Sequence, residues 1–422
     1  MNFHTICTII FTLLLQAATS ASADEVPAGE YAFPVKNPLV ATLLSQVLKP
    51  DAPYETLILT PKPERSQTPV IGDKNFIRVG LFAQKDKKAP LAFLISGTGG
   101  LALDGDLLFL ASQIYRLGYH VVTLPNPLSW QYALSLSATG LPGYTPRDAH
   151  EYYSFLSDVV AELKSQKNLD ISGYAVGGYS HGGLVTAFLM KEDSTQHKFN
   201  FQKGLIINPA IDLGFGIDVL DSYYDQSTQI GKDRCKRDMS SIIALGERLL
   251  ANGLDLNLVE SALKEGHFEA ADLKYLIGES FRESLGDLIF TSQQVTDSAV
   301  LKTPASNNRW NAREAEARNF NFRQYIDQFV YPTLKMAGKQ QVSEEAVLEQ
   351  AGMYALRDFI NADKRLFVLE NRDDFIINSK DIAFLKENFG DRLYLYPNGG
   401  HVGNLWFERN VKDISRIMAL PQ

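Results

Sequence analysis

Short apolar segments alternate with longer amphipathic segments in two parts of this chain, and this alternation restricts its fold more than any other feature. Residues 91–95 are apolar throughout and stop at the glycine-rich segment 96–100. In residues 103–117, which follow, apolar side chains recur at the spacing of one helix face. Because strands that alternate with helices form a mostly parallel sheet covered on both faces, we expect an α/β fold. Further strands are predicted at 54–59, 75–83, 119–124, 173–179, 204–208, 364–370 and 392–396, and further helices at 145–167, 181–191 and 405–418.

Residues 209–363 interrupt this alternation. They contain no convincing strand pattern and instead indicate successive helices, such as 239–251, 256–263 and 344–359. The chain has 422 residues, whereas a single hydrophobic core rarely grows beyond about 250–300 residues. We therefore expect an inserted all-helical cap domain. The predicted organisation is a lead-in at 24–50 with a helix over 39–48, a core formed by 51–212 and 361–422, and the cap at 213–360.

The segment 1–23 predicts a secretory signal peptide. Residues 5–18 are almost uncharged and apolar, and Ala21-Ser22-Ala23 has the A-x-A pattern of a cleavage site. The alternative is an uncleaved anchor, but this apolar run is shorter than the ~20 residues that span a bilayer. We expect export to a periplasm or beyond, and no integral membrane segment in the mature chain. Cleavage would remove Cys7 and leave Cys235 without a partner for a disulfide.

Charge and motif content disfavour several other functions. The chain has 41 Lys and Arg against 49 Asp and Glu, a formal net charge of −8, so nucleic acid or an anionic membrane surface is not expected as the main partner. His150 and His181 have no H-E-x-x-H context and there are no paired cysteines, so no metal is expected. Segment 96–100 lacks the lysine of a phosphate loop and the G-x-G-x-x-G spacing, so we expect no cofactor.

The pentapeptide Gly178-Tyr179-Ser180-His181-Gly182 gives the strongest indication of chemistry. It follows a predicted strand and precedes a predicted apolar helix, which is where a G-x-S-x-G nucleophile turn must lie. Gly178 and Gly182 would leave room for the tight backbone, and the turn would expose the Ser180 hydroxyl at a helix N-terminus. The alternative is a glycine-rich turn without chemistry. We predict that Ser180 is a nucleophile.

A serine nucleophile needs a base and an acid that orients the base. His401 is the predicted base because it follows a predicted strand within the segment Gly399-Gly400-His401. The acid should follow the preceding strand, where Asp373 and Asp374 are both candidates. We prefer Asp374 because it lies closer to the start of the next helix, and we expect Asp373 to support the turn.

The negative charge that forms on an attacked carbonyl oxygen needs N–H donors, which together form an oxyanion hole. One donor would be the amide of His181, directly after the nucleophile, and the other should come from the loop after the third strand. That loop is the segment 96–100, in which we predict Thr98 as the donor and Gly99 as the second choice.

Taken together, segment 96–100, the pentapeptide around Ser180, Asp374 and His401 resemble the α/β-hydrolase superfamily. The resemblance covers residues 75–210 and 363–418 and implies an eight-stranded, mostly parallel sheet. It also implies a serine hydrolase cycle without a cofactor, in which Ser180 attacks an acyl carbon with His401 as base and water releases the acyl-enzyme. Members of this superfamily often carry a lid after the sixth strand, where the helical block lies here.

Three functions remain open from the sequence. The first is an exported esterase, lipase or thioesterase acting on a small-molecule ester or lipid-like substrate, the second is a serine peptidase or amidase, and the third is a non-catalytic binding protein. Glu279, Glu283 and Asp287 could receive the terminal amine of a peptide, although a solvated helix face explains their spacing better. The aromatic residues that would line an acyl pocket or fill the core of the cap are Trp130, Phe215, Tyr223, Tyr224, Trp310, Phe320, Phe322 and Tyr325.

Overall fold

One mixed sheet forms the centre of the protein in the computed structural model, which describes residues 24–27, 29–59, 76–227, 248, 255–265, 269–336 and 343–420. Its strands are β1 Asp24–Glu25, β2 Glu55–Leu59, β3 Ile77–Phe82, β4 Lys88–Ile95, β5 His120–Leu124, β6 Asp170–Tyr179, β7 Lys203–Ile207, β8 Leu366–Asn371 and β9 Leu393–Tyr396. They lie in the order β1-β9-β8-β7-β6-β4-β5-β3-β2. β3 is antiparallel to β2 and β5, and all other neighbouring pairs are parallel. The prediction of a mostly parallel sheet of eight strands is confirmed, and the short β1 extends its edge beside β9.

Helices cover both faces of this sheet. The α-helices of the described residues, those of the cap included, are α1 Pro38–Ser45, α2 Gly105–Tyr115, α3 Trp130–Ser135, α4 Thr145–Lys167, α5 His181–Gln196, α6 Leu213–Ser227, α7 Leu256–Glu265, α8 Ala270–Val295, α9 Trp310–Ala317, α10 Phe322–Tyr325, α11 Tyr331–Met336, α12 Glu344–Ala351, α13 Arg357–Ala362, α14 Ser379–Phe389 and α15 Glu408–Met418. α4, α5 and α14 pack on one face, and α2 and α15 pack on the other. Successive strand residues alternate between the two faces, as Phe93 and Leu94 do in β4.

The cap lies between β7 and β8. The regular elements described in this part of the chain are all helical, and they enclose an apolar cluster that includes Leu285, Leu288 and Phe329. The helix predicted over 344–359 is interrupted at Gly352, where the backbone is extended. The next amide, that of Met353, donates to the carbonyl of Ile211 at 3.0 Å. From Met353 onward, residues including Leu356 and Ile360 pack in the core beneath the sheet, so the chain rejoins the core before residue 361.

The N-terminal helix α1 connects the cap with the core. Asn37 accepts hydrogen bonds from the amides of Leu39 and Val40 and so caps the helix, which begins at a proline. Leu39, Val40 and Leu44 pack against Val259, Leu273 and Ile277 of α7 and α8. The helix predicted over 39–48 is therefore present, and it lies against both parts of the molecule.

Some predictions lie outside the described residues: the signal peptide at 1–23, with Cys7, the cap helix at 239–251, and Cys235. Among the helices that the structure does describe, none is long and apolar enough to cross a membrane.

Candidate active site

Ser180 occupies a sharp turn between β6 and α5. Its backbone has φ 55 and ψ −130, a strained combination for a residue with a side chain. A Cβ atom on Gly178 would lie 2.6 Å from the carbonyl oxygen of Gly182. A Cβ atom on Gly182 would collide with the carbonyl oxygens of Ile95 and Ser96. Both positions therefore require glycine if Ser180 is to keep this turn, which has the geometry of a nucleophile elbow.

The loops after β8 and β9 bring His401 and Asp374 together. The Nδ1 atom of His401 lies 2.8 Å from Oδ2 of Asp374, and because a carboxylate can only accept, the imidazole donates. The side chains are 7% and 0% exposed, respectively. Asp373 instead accepts a hydrogen bond from the amide of Gly400 at 2.9 Å. Of the two candidate acids, Asp374 thus contacts the imidazole and Asp373 supports the loop.

The backbone of His401 is held by α1, a contact that the sequence reasoning missed. The amide of His401 donates to Oγ1 of Thr42 at 2.9 Å, and this hydroxyl donates to the carbonyl of Pro38 at 2.8 Å. A Cβ atom on Gly400, which has φ +61, would collide with the same carbonyl oxygen. Thr42 and His401 are 359 residues apart, so no local pattern could have connected them.

The predicted oxyanion donors lie on two loops beside Ser180. In the described part of the chain, the amides of Thr98, Gly99 and His181 donate no hydrogen bond. Thr98 and Ser180 line the same two cavities, and Gly99 lines the larger one. Free N–H groups beside the nucleophile are what an oxyanion hole needs.

Asn126, whose role the sequence reasoning missed, ties these two loops together. Its Nδ2 donates to the carbonyl of Ser96 at 2.7 Å, and its amide donates to the carbonyl of Gly100 at 2.9 Å. Its Oδ1 accepts from the amide of Leu128 at 2.8 Å and lies 3.1 Å from Nδ1 of His181. Burial lowers the pKa of His181 to about 4, so this imidazole is neutral at pH 7 and donates from Nδ1.

The larger of two cavities at Ser180, about 300 Å³, has a lining that is about half polar and includes several carboxylates. Its walls come from the loop 96–101, from α1 and from α8. Three carboxylates, Asp104, Asp106 and Asp287, line it together with Trp130. Burial raises the pKa of Asp106 to about 6 and also raises that of Asp104. Asp287 of α8 lines this wall with a side chain that is 48% exposed, and it lies 3.5 Å from Arg318.

The smaller cavity, about 60 Å³, has a mainly apolar lining supplied by the cap. It shares Thr98, Ser180, Phe281 and His401 with the larger one, so the two cavities meet at Ser180. Of the predicted aromatic residues, Trp130 lines the larger cavity, and Phe322 and Tyr325 line the smaller one. Others pack against aromatic neighbours away from the site, among them Tyr224 on Tyr275, Trp310 on Phe290 and Phe320 on Phe329.

Comparison with known proteins gives matches to solved structures alone. No family model and no curated protein matches the chain. A mutant of the esterase rPPE is 13% identical, with a TM-score of 0.42 over 97% of this chain and 93% of that one. An esterase from the archaeon Pyrobaculum calidifontis is 14% identical, with a TM-score of 0.41 over 90% and 88%. A carboxyl esterase from the fungus Tuber melanosporum is 11% identical, with a TM-score of 0.40 over 98% and 96%.

The strand order, the helices on both faces and the strained turn after β6 define the class of this chain: it has the α/β-hydrolase fold, with a helical cap. Within this fold, a serine turn, a buried imidazole–carboxylate pair and free amides surround one point. Such an arrangement can activate a hydroxyl group, carry its proton and stabilise an oxyanion.

Proposed function

We propose that this protein is a serine hydrolase that cleaves carboxylic or thio esters through an acyl-enzyme on Ser180. The observation that carries the proposal is the buried hydrogen bond between His401 and Asp374, 2.8 Å long, at the cavity where Ser180 lies in its strained turn. A buried carboxylate that accepts from Nδ1 directs the other ring nitrogen, Nε2, toward a substrate site and stabilises the imidazolium.

The reaction would proceed in two halves. His401 takes the proton of the Ser180 hydroxyl at Nε2 as the oxygen attacks the acyl carbon, and the imidazolium then protonates the leaving alcohol or thiol. The amides of His181 and Thr98, with Gly99 next to them, stabilise the negative oxygen. Water attacks the acyl-enzyme with His401 again as base, and this step releases the acid. His181 is not suited to be the base because its buried imidazole is already bonded to Asn126.

The two cavities support a substrate whose two sides differ in polarity. One side of the scissile bond would occupy the apolar cavity of about 60 Å³, and the other would occupy the acidic cavity of about 300 Å³. None of the described residues that line the acidic cavity is Lys or Arg. Carboxylates in a low-dielectric cleft repel an anion and attract a cation, so anionic esters should be poor substrates.

A serine peptidase or amidase is the second candidate, and one observation favours it. Asp104 and Asp106 line the larger cavity near Ser180, and no Lys or Arg of the described chain forms a salt bridge with either. Carboxylates in this position suit the terminal amine of a peptide.

Turnover of matched substrates would separate these functions. The first comparison is a set of p-nitrophenyl esters from acetate to octanoate against the p-nitroanilides of the same acids and of alanine. The proposal predicts that the esters with short acyl groups are cleaved, and that Ser180→Ala lowers kcat by at least about 10³-fold. Preferential cleavage of alanine p-nitroanilide would favour the peptidase, and no turnover of any substrate would favour a binding protein.

The charge preference has a matched test of its own. Acetylcholine, 3,3-dimethylbutyl acetate and acetoxyacetate share the acetyl group and differ in the charge on the other side of the ester bond. The acidic cavity predicts that kcat/KM is about tenfold or more higher for the cation than for the anion, with the neutral ester between them. Equal values for the three esters would remove the electrostatic part of the proposal and leave the hydrolase part intact.

We also propose export of this protein by removal of residues 1–23. In support, β1 begins at Asp24, and Glu25 forms salt bridges with Arg372 and Lys386, so cleavage after Ala23 would leave the edge of the sheet intact. N-terminal sequencing of the protein from fractionated cells tests this: a mature chain that starts at Asp24 supports export, and an intact Met1 in the cytosol contradicts it.

A further inference from the structure

A second buried carboxyl group, that of Glu370, lies behind the acid that contacts His401. Glu370 is near the end of β8, four positions before Asp374, and is 0% exposed. Its Oε1 accepts hydrogen bonds from Nδ2 of Asn208 at 2.6 Å and from the amide of Asn371 at 2.7 Å. Its Oε2 has no hydrogen-bond partner among the described residues. A buried carboxylate oxygen without a donor is costly, so the atom needs an explanation.

A neighbouring carboxyl group, that of Asp374, explains it. Nδ2 of Asn208 donates to both groups, at 2.6 Å to Oε1 of Glu370 and at 3.0 Å to Oδ2 of Asp374, so the two carboxyl groups share one amide nitrogen. Two ionised carboxylates only accept hydrogen bonds and repel each other, whereas one protonated carboxyl group donates to the other.

The surroundings favour a single negative charge on this pair. Burial, and then the charge of Asp374, raise the pKa of Glu370 well above its usual range. The two donors to Glu370, the side-chain amide of Asn208 and the backbone amide of Asn371, are neutral. The other titratable groups facing the pair are His401, which bonds to Asp374, and Asp373, whose own carboxyl contacts Gly400. Tyr223 of α6 also faces Asp374, and burial and then the charge of Asp374 raise the pKa of its hydroxyl group.

We infer that Glu370 is a positioning residue that stays protonated and donates its proton to Asp374. The inference rests on the proposed hydrolase function. Asp374 then accepts from His401, Asn208 and Glu370, and its Oδ1 also accepts from the amide of Ile376 at 3.0 Å. The carboxylate that orients the base is held on every side, and the base faces one negative charge instead of two. Glu370 itself touches no substrate.

Two variants separate this role from simple packing. Glu370→Gln keeps an acceptor for Asn208 and Asn371 and an N–H donor for Asp374, and it has no charge. Its kcat and the pH profile of kcat/KM should match those of the wild type within about threefold. Glu370→Leu has a similar volume without polar atoms, and it should lower kcat by about 10-fold to 100-fold, the effect of one hydrogen bond to a charged group, with KM little changed.

The pH profile gives a readout that a packing defect would not produce. In Glu370→Leu the charge of Asp374 loses a donor and attracts the imidazolium of His401 more strongly, so the acidic limb of kcat/KM should move to higher pH. The inference is overturned if Glu370→Gln loses as much activity as Glu370→Leu, or if Glu370→Leu keeps the wild-type kcat and pH profile.

Infrared spectroscopy tests the proton without any activity. At pH 7.5 the wild type should show the carbonyl stretch of a protonated carboxyl group that is missing in Glu370→Gln, and the absence of such a band overturns the inference even if Glu370→Leu does not fold. If the wild type shows this band but hydrolyses no substrate, the proposed function is rejected, whereas the inference that Glu370 is protonated stands.

Discussion

At the scale of single residues, the candidate site depends on side chains that hold the backbone around Ser180 and His401. Thr42, Asn126 and Asp373 touch the backbone of the loops that carry His401 and Thr98. Each joins parts of the chain that are distant in sequence. An oxyanion hole or a base displaced by even about 1 Å loses much of its effect, so these hydrogen bonds bear directly on rate.

Thr42 provides a clean test at this scale. Thr42→Val keeps the shape of the side chain but leaves the amide of His401 without its acceptor. We expect kcat to fall by about tenfold, the cost of a buried N–H group without a partner. Thr42→Ser restores the hydroxyl group and should restore most of the rate.

The measurement is steady-state kinetics on a short ester, accompanied by thermal melting of each variant. Wild-type kcat in a folded Thr42→Val protein would show that α1 does not position His401.

At the scale of elements, the cap helix α8 rests directly on the loop 96–100, which carries the predicted oxyanion donors Thr98 and Gly99. A Cβ atom on Gly99 would lie 2.5 Å from Cβ of Ser284 in α8, and Gly99 has φ +75. The Cα atom of Ser284 would be 3.9 Å away, which is an ordinary contact. A larger residue on either side must therefore move the cap or the loop.

This contact predicts a coupling between two substitutions. Gly99→Ala alone should lower kcat strongly because the new methyl group meets Ser284. Ser284→Gly alone should have little effect, and the double variant should recover much of the lost rate because only the Cα atom remains near the methyl group. The double variant should still have a lower free energy of unfolding than the wild type, by about 1 kcal/mol, because alanine at φ +75 is strained.

A double-mutant cycle on kcat and on the free energy of unfolding measures this coupling. Strictly additive effects would mean that α8 does not press on the loop 96–100 in solution.

At the scale of the whole molecule, buried acids make stability depend on pH. Asp148 in α4 is fully buried, its Oδ2 accepts from the amide of Gly143 at 2.6 Å, and Oδ1 has no hydrogen-bond partner among the described residues. Burial raises its pKa to about 7 from an ordinary value of 3.8. The folded state therefore binds more protons than the unfolded state between these values, and the stability that Asp148 contributes is lost as pH rises toward 7.

Asp148→Asn should flatten this dependence. The amide resembles the protonated acid, so the loss of unfolding free energy between pH 5 and 8 should become smaller. The difference should reach about 1.4 kcal/mol per pH unit where Asp148 is protonated in the folded state and ionised in the unfolded state. Urea denaturation across this range measures it. Asp158→Asn, at an exposed position of the same helix, is the control and should keep the wild-type slope. The same slope in Asp148→Asn would contradict the account.

Sequence reasoning could predict the parts of this molecule that depend on neighbouring residues. The strands and sheet helices follow local periodicity, and the elbow follows five adjacent residues. Thr42 and Asn126 act only after distant segments meet, so their roles had no local signal. Glu370 was visible only as a strand residue, because its burial beside Asp374 depends on the loops that pack over the end of the sheet.

The central claim is that Ser180 is a nucleophile activated by His401, and one measurement tests it most directly. The purified protein is treated with a fluorophosphonate probe, and the adduct is located by peptide mass spectrometry. We predict labelling at Ser180 that is absent in Ser180→Ala and much slower in His401→Ala. Folded, monodisperse wild-type protein that stays unlabelled, also with detergent or an apolar ligand present to open the cap, would contradict the claim.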